Sequence, residues 1–338
     1  MWKKFLIYYP PSTALKLDRE TMQLTTEQLG FFKDNGYLIV AGVMDRQLCA
    51  KARDRLWDSL PATSKIKRND PTTHIGPFDK RDVKTDHLDL RQEYRWQLRS
   101  VGTEPLLIDL VFSPTLQAIA TQLLGANMLQ PPQVGGRPMG THGAAWPGGP
   151  VDPAADNQGA RGIYATLPYG DRPRETDRCH TDGHPFNLGM VGLIDAVPRD
   201  GGGFKVWPGS HRRLYSTFQM SYDQPRIPYY PHLPSYKGIL HTPEYLAEIK
   251  KINDDTPAVD CWGSEGDVVL WHHRTAHMAG HNYSDKIRQA VLYDFTRNDL
   301  DHSRMHAPRK DMWHDWSGSL RQVKTTYSRA FSESQHLG

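Results

Sequence analysis

Between residues 161 and 296, short apolar runs are broken by tight turns, and this pattern limits the possible folds more than any other feature of the chain. The runs cover 161–167, 178–184, 189–197, 203–207, 266–273 and 288–296. Gly201-Gly202-Gly203 and Pro208-Gly209-Ser210-His211 supply two of the turns, because glycine reaches backbone angles that side chains forbid. Many short strands with few helices between them predict a sandwich or a barrel.

The residues before this region read differently. Thr25 and Gln28 form a capping box, Leu29 and Phe32 follow at helical spacing, and Asn35-Gly36 ends the helix before a strand, Tyr37 to Val40. Asp45 caps a second helix in which Leu48, Ala52 and Leu56 recur every fourth residue. Tyr94, Trp96 and Leu98 alternate with polar residues, as in a half-buried strand. Residues 114–124 form a third helix, with Pro114 in its first turn and Gly125 past its end. From Pro131 to Gly162, fourteen residues are Gly or Pro, which excludes regular structure and predicts a long inserted loop. The expected organisation is one domain: flanking helices and strands at 24–125, an inserted loop at 131–160, a core at 161–296 and a peripheral tail at 300–338.

Composition narrows the functional class. With 338 residues, 38% hydrophobic and nine of them Trp, the chain can bury a sizeable core. A net charge of +3 with no concentrated Lys/Arg stretch argues against nucleic acid and membrane surfaces as partners. Cys49, Cys179 and Cys261 lie far apart, which suits a reducing compartment and predicts a cytoplasmic protein. The apolar run near the N-terminus, Phe5 to Tyr9, is too short for a span or a secretion signal.

Within 178–184, His180 and Asp182 are two residues apart, so on an extended strand both side chains leave one face. An imidazole and a carboxylate are two thirds of the 2-His-1-carboxylate arrangement that holds Fe(II) with positions left open. Downstream, Gly266 to Asn282 contains four candidates for the third ligand, His272, His273, His277 and His281, and periodicity alone does not choose among them.

Five ordered motifs, taken together, resemble the phytanoyl-CoA dioxygenase-like family of Fe(II)/2-oxoglutarate oxygenases. They are His180-Thr181-Asp182, the turn from Gly201 to His211, Gly266-Asp267, His277-x-x-Gly280-x-Asn282, and Arg288 eleven residues past His277. The opening segment Phe31-Phe32-x-x-Asn35-Gly36-Tyr37-Leu38 fits as well, so the resemblance spans roughly residues 24–296. It implies a double-stranded β-helix (jelly-roll) core, mainly β in an α+β chain, with helices outside it. It also implies that His180, Asp182 and His277 are the catalytic metal ligands, that Arg288 binds the far carboxylate of 2-oxoglutarate, and that Thr181 belongs with the cofactor-binding residues. Fe(II), 2-oxoglutarate and O2 are the implied cofactors. Arg288 suits its role because a guanidinium meets a carboxylate through two parallel hydrogen bonds.

Related halogenases carry a small residue where Asp182 stands, so the intact carboxylate points to hydroxylation of an unactivated C–H bond, with release of succinate and CO2. Desaturation or oxidative cyclisation in a biosynthetic pathway is the alternative with the same cofactors; a non-catalytic jelly-roll binding protein and a zinc hydrolase are the more distant ones. Two positions depart from the family pattern: His281 stands where Pro is frequent, and Ala279 where a small hydroxyl residue is common. Cations mixed with aromatics near the motifs suggest a small, carboxylate-bearing substrate, with Arg99 or Arg161 as its anchor and Trp96, Tyr164, His184 and Trp207 around it. Oligomeric state is not readable from these residues.

Overall fold

The structure is a computed structural model, and it describes residues 15–18, 22–86, 88–132, 134–135, 159–182, 186–217, 219–221, 238–240, 242–303 and 307–325. Most of the Gly/Pro-rich insertion, at 136–158, lies outside them.

The chain begins with α1 (Thr26–Asn35), β1 (Tyr37–Val40) and α2 (Arg46–Trp57), followed by a meander of β2 (Lys84–Thr85), β3 (Leu90–Gln92) and β4 (Arg95–Leu98). Two helices come next, α3 (Pro105–Val111) and α4 (Pro114–Leu124). Then follow β5 (Gly162–Thr166), β6 (Leu188–Leu193), β7 (Phe204–Val206), α5 (Ser210–Tyr215), β8 (Gln219–Ser221) and β9 (Gly238–Leu240). After α6 (Pro243–Asp255) the strands β10 (Val259–Cys261), β11 (Val268–His272), β12 (His277–Ala279) and β13 (Arg288–Phe295) complete the core. Two short helices, α7 (Leu300–Ser303) and α8 (Gly318–Gln322), close the described chain.

Eight strands form one antiparallel sheet in the order β1-β11-β6-β13-β5-β4-β3-β2, and β10-β7-β12 form a second. The two pack face to face as a jelly-roll, and the alternation of side chains assigns each strand's two faces. Tyr37, Ile39, Val191, Leu193, Val269, Trp271 and Ala290 meet Phe204 and Val206 of the small sheet in the space between the sheets. Their neighbours Leu38, Val40, Met190, Val268, Leu270, Val291 and Tyr293 face the other way, onto the helices. A third cluster, with Cys179, Trp207, Leu214, Tyr245 and Met278, backs the small sheet.

The local signals act as expected. Thr25 caps α1 with both bonds of the capping box, and Asp45 accepts from the N–H groups of Gln47 and Leu48 to cap α2. The buried side of α2 is Cys49, Ala52 and Leu56, with Leu48 only half-buried. In the described part of 178–184 the only pairing is a single bridge at His180, not a strand. Pro208-Gly209-Ser210-His211 is more than a turn, because α5 starts at Ser210 with Gly209 in the left-handed conformation as its cap. In the described part of the C-terminal segment, Trp313 and Trp316 pack on Phe32 and His272, and Leu320 is fully buried. No single described helix is long and apolar enough to cross a membrane.

Gly36 ties the α1 end to this core. It closes the helix at φ +79°, and a Cβ there would lie 2.4 Å from His211 Nδ1 and 2.6 Å from Thr275 Oγ1. Gly36→Ala is therefore expected to lower stability by about 2 kcal/mol or more, read as a reduced urea midpoint with an unchanged slope.

Candidate metal centre

His180 and His277 are brought together by backbone. Each donates its N–H to the other's carbonyl, at 3.0 and 2.8 Å, so they form a hydrogen-bonded antiparallel pair whose ring centroids are 4.9 Å apart. The His277 ring stacks on Phe204 of the inter-sheet core, and its Nδ1 lies 2.8 Å from the carbonyl of Thr275. That carbonyl fixes the proton on Nδ1 and leaves the Nε2 lone pair free. Nε2 is 3.5 Å from Asp182 Oδ2, and one donor atom from each of His180, Asp182 and His277 lies within 4.8 Å of the others. Burial, reinforced by the adjacent His277, pushes His180 down to about 3, so its ring is neutral at physiological pH.

Surrounding elements hold this constellation in place. Cys179 N–H donates to Asn253 Oδ1, and Thr181 N–H and hydroxyl both meet the Tyr245 hydroxyl, at 3.2 and 2.7 Å, so the ligand segment is fastened to α6. On the other side, Ser210 donates to the Trp207 carbonyl and accepts from the Ala276 N–H. Thr275 donates its hydroxyl to the Gly36 carbonyl. The Pro-Gly-Ser-His turn thus fixes the β11–β12 connection, and His211, buried beside the Lys33 carbonyl, joins it to α1.

Arg288 begins β13, where Arg288, Ala290, Leu292 and Asp294 share the face turned to the small sheet. It is 4% exposed, its Nη1 reaches the Tyr164 carbonyl at only 3.3 Å, and its Nε has no hydrogen-bond partner among the described residues. Burial pushes the guanidinium down to about 10, with Asp260 opposing, and it stays charged at neutral pH. A buried cation with unused donors fits an anionic ligand far better than it fits a core. Two imidazoles and a carboxylate likewise fit Fe(II), since all three can present unprotonated donors.

The other expected residues divide. Tyr164 and Arg99 lie on the inter-sheet side: Arg99 Nε donates to the Tyr164 hydroxyl at 3.0 Å, and Arg99 Nη2 bonds Gln97. Arg161 is engaged within the protein: its guanidinium bonds Asp182 Oδ2 at 2.7 Å and both oxygens of Asp294 at 2.6 and 2.7 Å. Trp96 faces the helices, packed on Trp57 and Phe78, and Trp207 is buried behind the small sheet. Thr181 points to α6, where its hydroxyl meets the Tyr245 hydroxyl at 2.7 Å. His184 lies outside the described residues. His272 stacks on Trp316 and accepts from the Arg274 N–H, while His281 faces Glu175 and Asp177, so neither joins the trio. Sequence reasoning missed Asp294, although a carboxylate in step with Arg288 along an apolar strand is a signal for it.

The profile of the phytanoyl-CoA dioxygenase (PhyH) family matches residues 32–290, well over half of the chain. The chain belongs to the phytanoyl-CoA dioxygenase family. It is accordingly a non-haem oxygenase that uses iron and 2-oxoglutarate. No curated protein matches it by sequence. Among solved structures it is similar to the non-heme alpha ketoglutarate dependent carbocyclase SnoK from nogalamycin biosynthesis, with 18% identity and TM-score 0.46 over 87% of this chain and 95% of that one. It is also similar to EctD from S. alaskensis with bound Fe, at 15% identity and TM-score 0.45 over 92% and 93% of the two chains. A third is the epimerase SnoN in complex with Fe3+, alpha ketoglutarate and nogalamycin RO, at 16% identity and TM-score 0.40 over 86% and 96%.

If Thr181 serves packing and not the cofactor, Thr181→Val lowers stability by about 1 kcal/mol and leaves the 2-oxoglutarate KM where it was. A KM raised several-fold at unchanged Tm would return Thr181 to the cofactor site.

Proposed function

We propose that this oxygenase hydroxylates an unactivated C–H bond of a small, carboxylate-bearing metabolite, with His180, Asp182 and His277 holding the iron. Arg288 takes the far carboxylate of 2-oxoglutarate. One observation carries the assignment: the three donors converge on the inter-sheet space into which Arg288, buried and with unused donors, projects from β13. Iron and 2-oxoglutarate, when bound, would with O2 supply an oxidant that takes hydrogen from carbon, one oxygen atom going into succinate as CO2 leaves and the other to the substrate. The chain's own part is placement. The Thr275 carbonyl orients the His277 ring, and Phe204 and Trp271 wall the site with apolar surface that excludes water. Arg288 fixes one end of the co-substrate and thereby the direction from which the other end approaches the metal ligands.

Asp182 supports hydroxylation over halogenation, because the carboxylate fills the place a halide needs. Desaturation or cyclisation uses the same residues and differs only in the substrate's fate. For the substrate, Arg99 is the anchor the geometry favours. It lies 5.8 Å from the Tyr164 ring on the inner side of β4 and β5, and the backbone carbonyl of Tyr164 accepts from Arg288. One hydrophobic core unites the helices of 24–125 with the strands of 161–296, which supports reading the chain as a single oxygenase domain. Three free, buried cysteines support a reducing compartment such as the cytoplasm.

Anaerobic addition of Fe(II) and 2-oxoglutarate is expected to give the weak visible charge-transfer band of the chelate in the wild type and none in Asp182→Ala. A wild-type protein without the band would end the assignment. Arg288→Lys should raise the 2-oxoglutarate KM roughly tenfold or more while Fe(II) affinity stays within about twofold, because a point charge replaces a two-donor fork. In a screen of carboxylate metabolites for stimulated succinate release, Arg99→Gln should raise the KM of whichever substrate responds. An unchanged KM removes Arg99 from that role.

A further inference from the structure

Arg161, immediately before β5, is held where two carboxylates meet. Gly162 lets it approach: at φ +114°, a Cβ there would lie 2.2 Å from the Leu98 carbonyl, so only glycine brings this corner so close to β4. The Arg161 N–H donates to the Leu292 carbonyl, which places the side chain against β13. Its Nε and Nη2 then grip both oxygens of Asp294, which is 1% exposed, while the same Nη2 donates to Asp182 Oδ2 at 2.7 Å. The guanidinium carbon lies over two adjacent rings, 5.3 Å from Phe186 and 5.9 Å from Trp271, whose centroids are 6.1 Å apart. Nothing in this arrangement is a flexible surface pair. Every partner is buried or nearly so, and the arginine's orientation is fixed from three sides.

We propose that Arg161 and Asp294 form a positioning clamp on the metal carboxylate: Arg161 claims one oxygen of Asp182 and Asp294 offsets the charge this brings beside the metal. The inference rests on the assignment of His180, Asp182 and His277 as the iron ligands.

Two consequences follow from the charges and the geometry. Arg161 donates to Asp182 Oδ2, the oxygen that also lies 3.5 Å from His277 Nε2, so the clamp fixes how the carboxylate faces the two imidazoles and keeps it from swinging. A guanidinium this close to a divalent ion is repelled by it. Arg161 alone against Asp182 sums to zero charge, which attracts a metal poorly, and Asp294 returns the group to a net single negative charge. The two clamp residues therefore act on the metal in opposite senses. Arg161 restrains Asp182 and weakens its pull, while Asp294 restores that pull.

This opposition is the test. Co(II) affinity and the visible d–d bands of the Co(II)-loaded protein are measured anaerobically by titration of wild type, Asp182→Ala, Asp294→Asn and Arg161→Gln, each checked for folding by its thermal transition. Binding by wild type and its loss in Asp182→Ala test the ligand assignment itself; if wild type binds no metal, that assignment fails and not merely the clamp. With the ligands established, Asp294→Asn, which keeps the shape and removes the charge, is expected to weaken Co(II) binding tenfold or more. Arg161→Gln is expected to bind at least as tightly as wild type, with altered d–d bands as Asp182, no longer held, changes its orientation toward the metal. A merely structural role would lower affinity in both variants together, and that result overturns the proposal, as does wild-type affinity in Asp294→Asn. Should Arg161→Gln fail to fold, Asp294→Asn decides alone: weakened binding at a near-wild-type Tm supports the clamp, and unchanged binding removes it.

Discussion

The two hydrogen bonds exchanged between His180 and His277 are what the site depends on. They join a segment that shows no strand among its described residues to the edge of a three-stranded sheet, across nearly a hundred positions of sequence. Because the pairing is made by backbone, the meeting of the two imidazoles does not rely on side-chain packing alone. The packing around it, from Asn253 and Tyr245 of α6 to Ser210 and Thr275, keeps that bridge from slipping.

Helices α1, α2 and α4 were legible in sequence because their ends carry local chemistry. Thr25 with Gln28, Asp45 and Pro114 each satisfy or replace orphan backbone donors, and those effects need only a few neighbouring residues. The metal trio was legible through its motifs, whose residue types suit Fe(II) wherever the backbone allows them to meet. What was not legible is which face of a strand looks inward. Trp96 alternates with Arg95, Gln97 and Arg99, and an ordinary reading sends the tryptophan to the core and the cations to solvent. Here both sides of the sheet are covered: Trp96 goes to the helices, and Arg99 to the side that carries the site. Periodicity distinguishes two faces but does not say what lies against each.

The same limit explains Thr181 and Asp294. A residue between two ligands points away from them, so Thr181 was bound to leave the site, and only the position of Tyr245 reveals what it meets instead. Asp294 belongs to no motif with the iron ligands in sequence. Its place in step with Arg288 is visible in the strand's period, but its connection to the trio runs through Arg161, which stands 133 positions earlier, and periodicity does not report that contact.

Arg288 and Asp294 stand at two ends of the same extended element, on one side of its pleat. An extended strand hydrogen-bonded on both flanks is among the stiffest rulers a polypeptide offers, whereas loops lengthen and shorten freely. The gap between Arg288 and the Asp294 carboxylate that holds Arg161 is thereby set by the pitch of a single strand. Insertions elsewhere can reshape the mouth for new substrates without disturbing that interval.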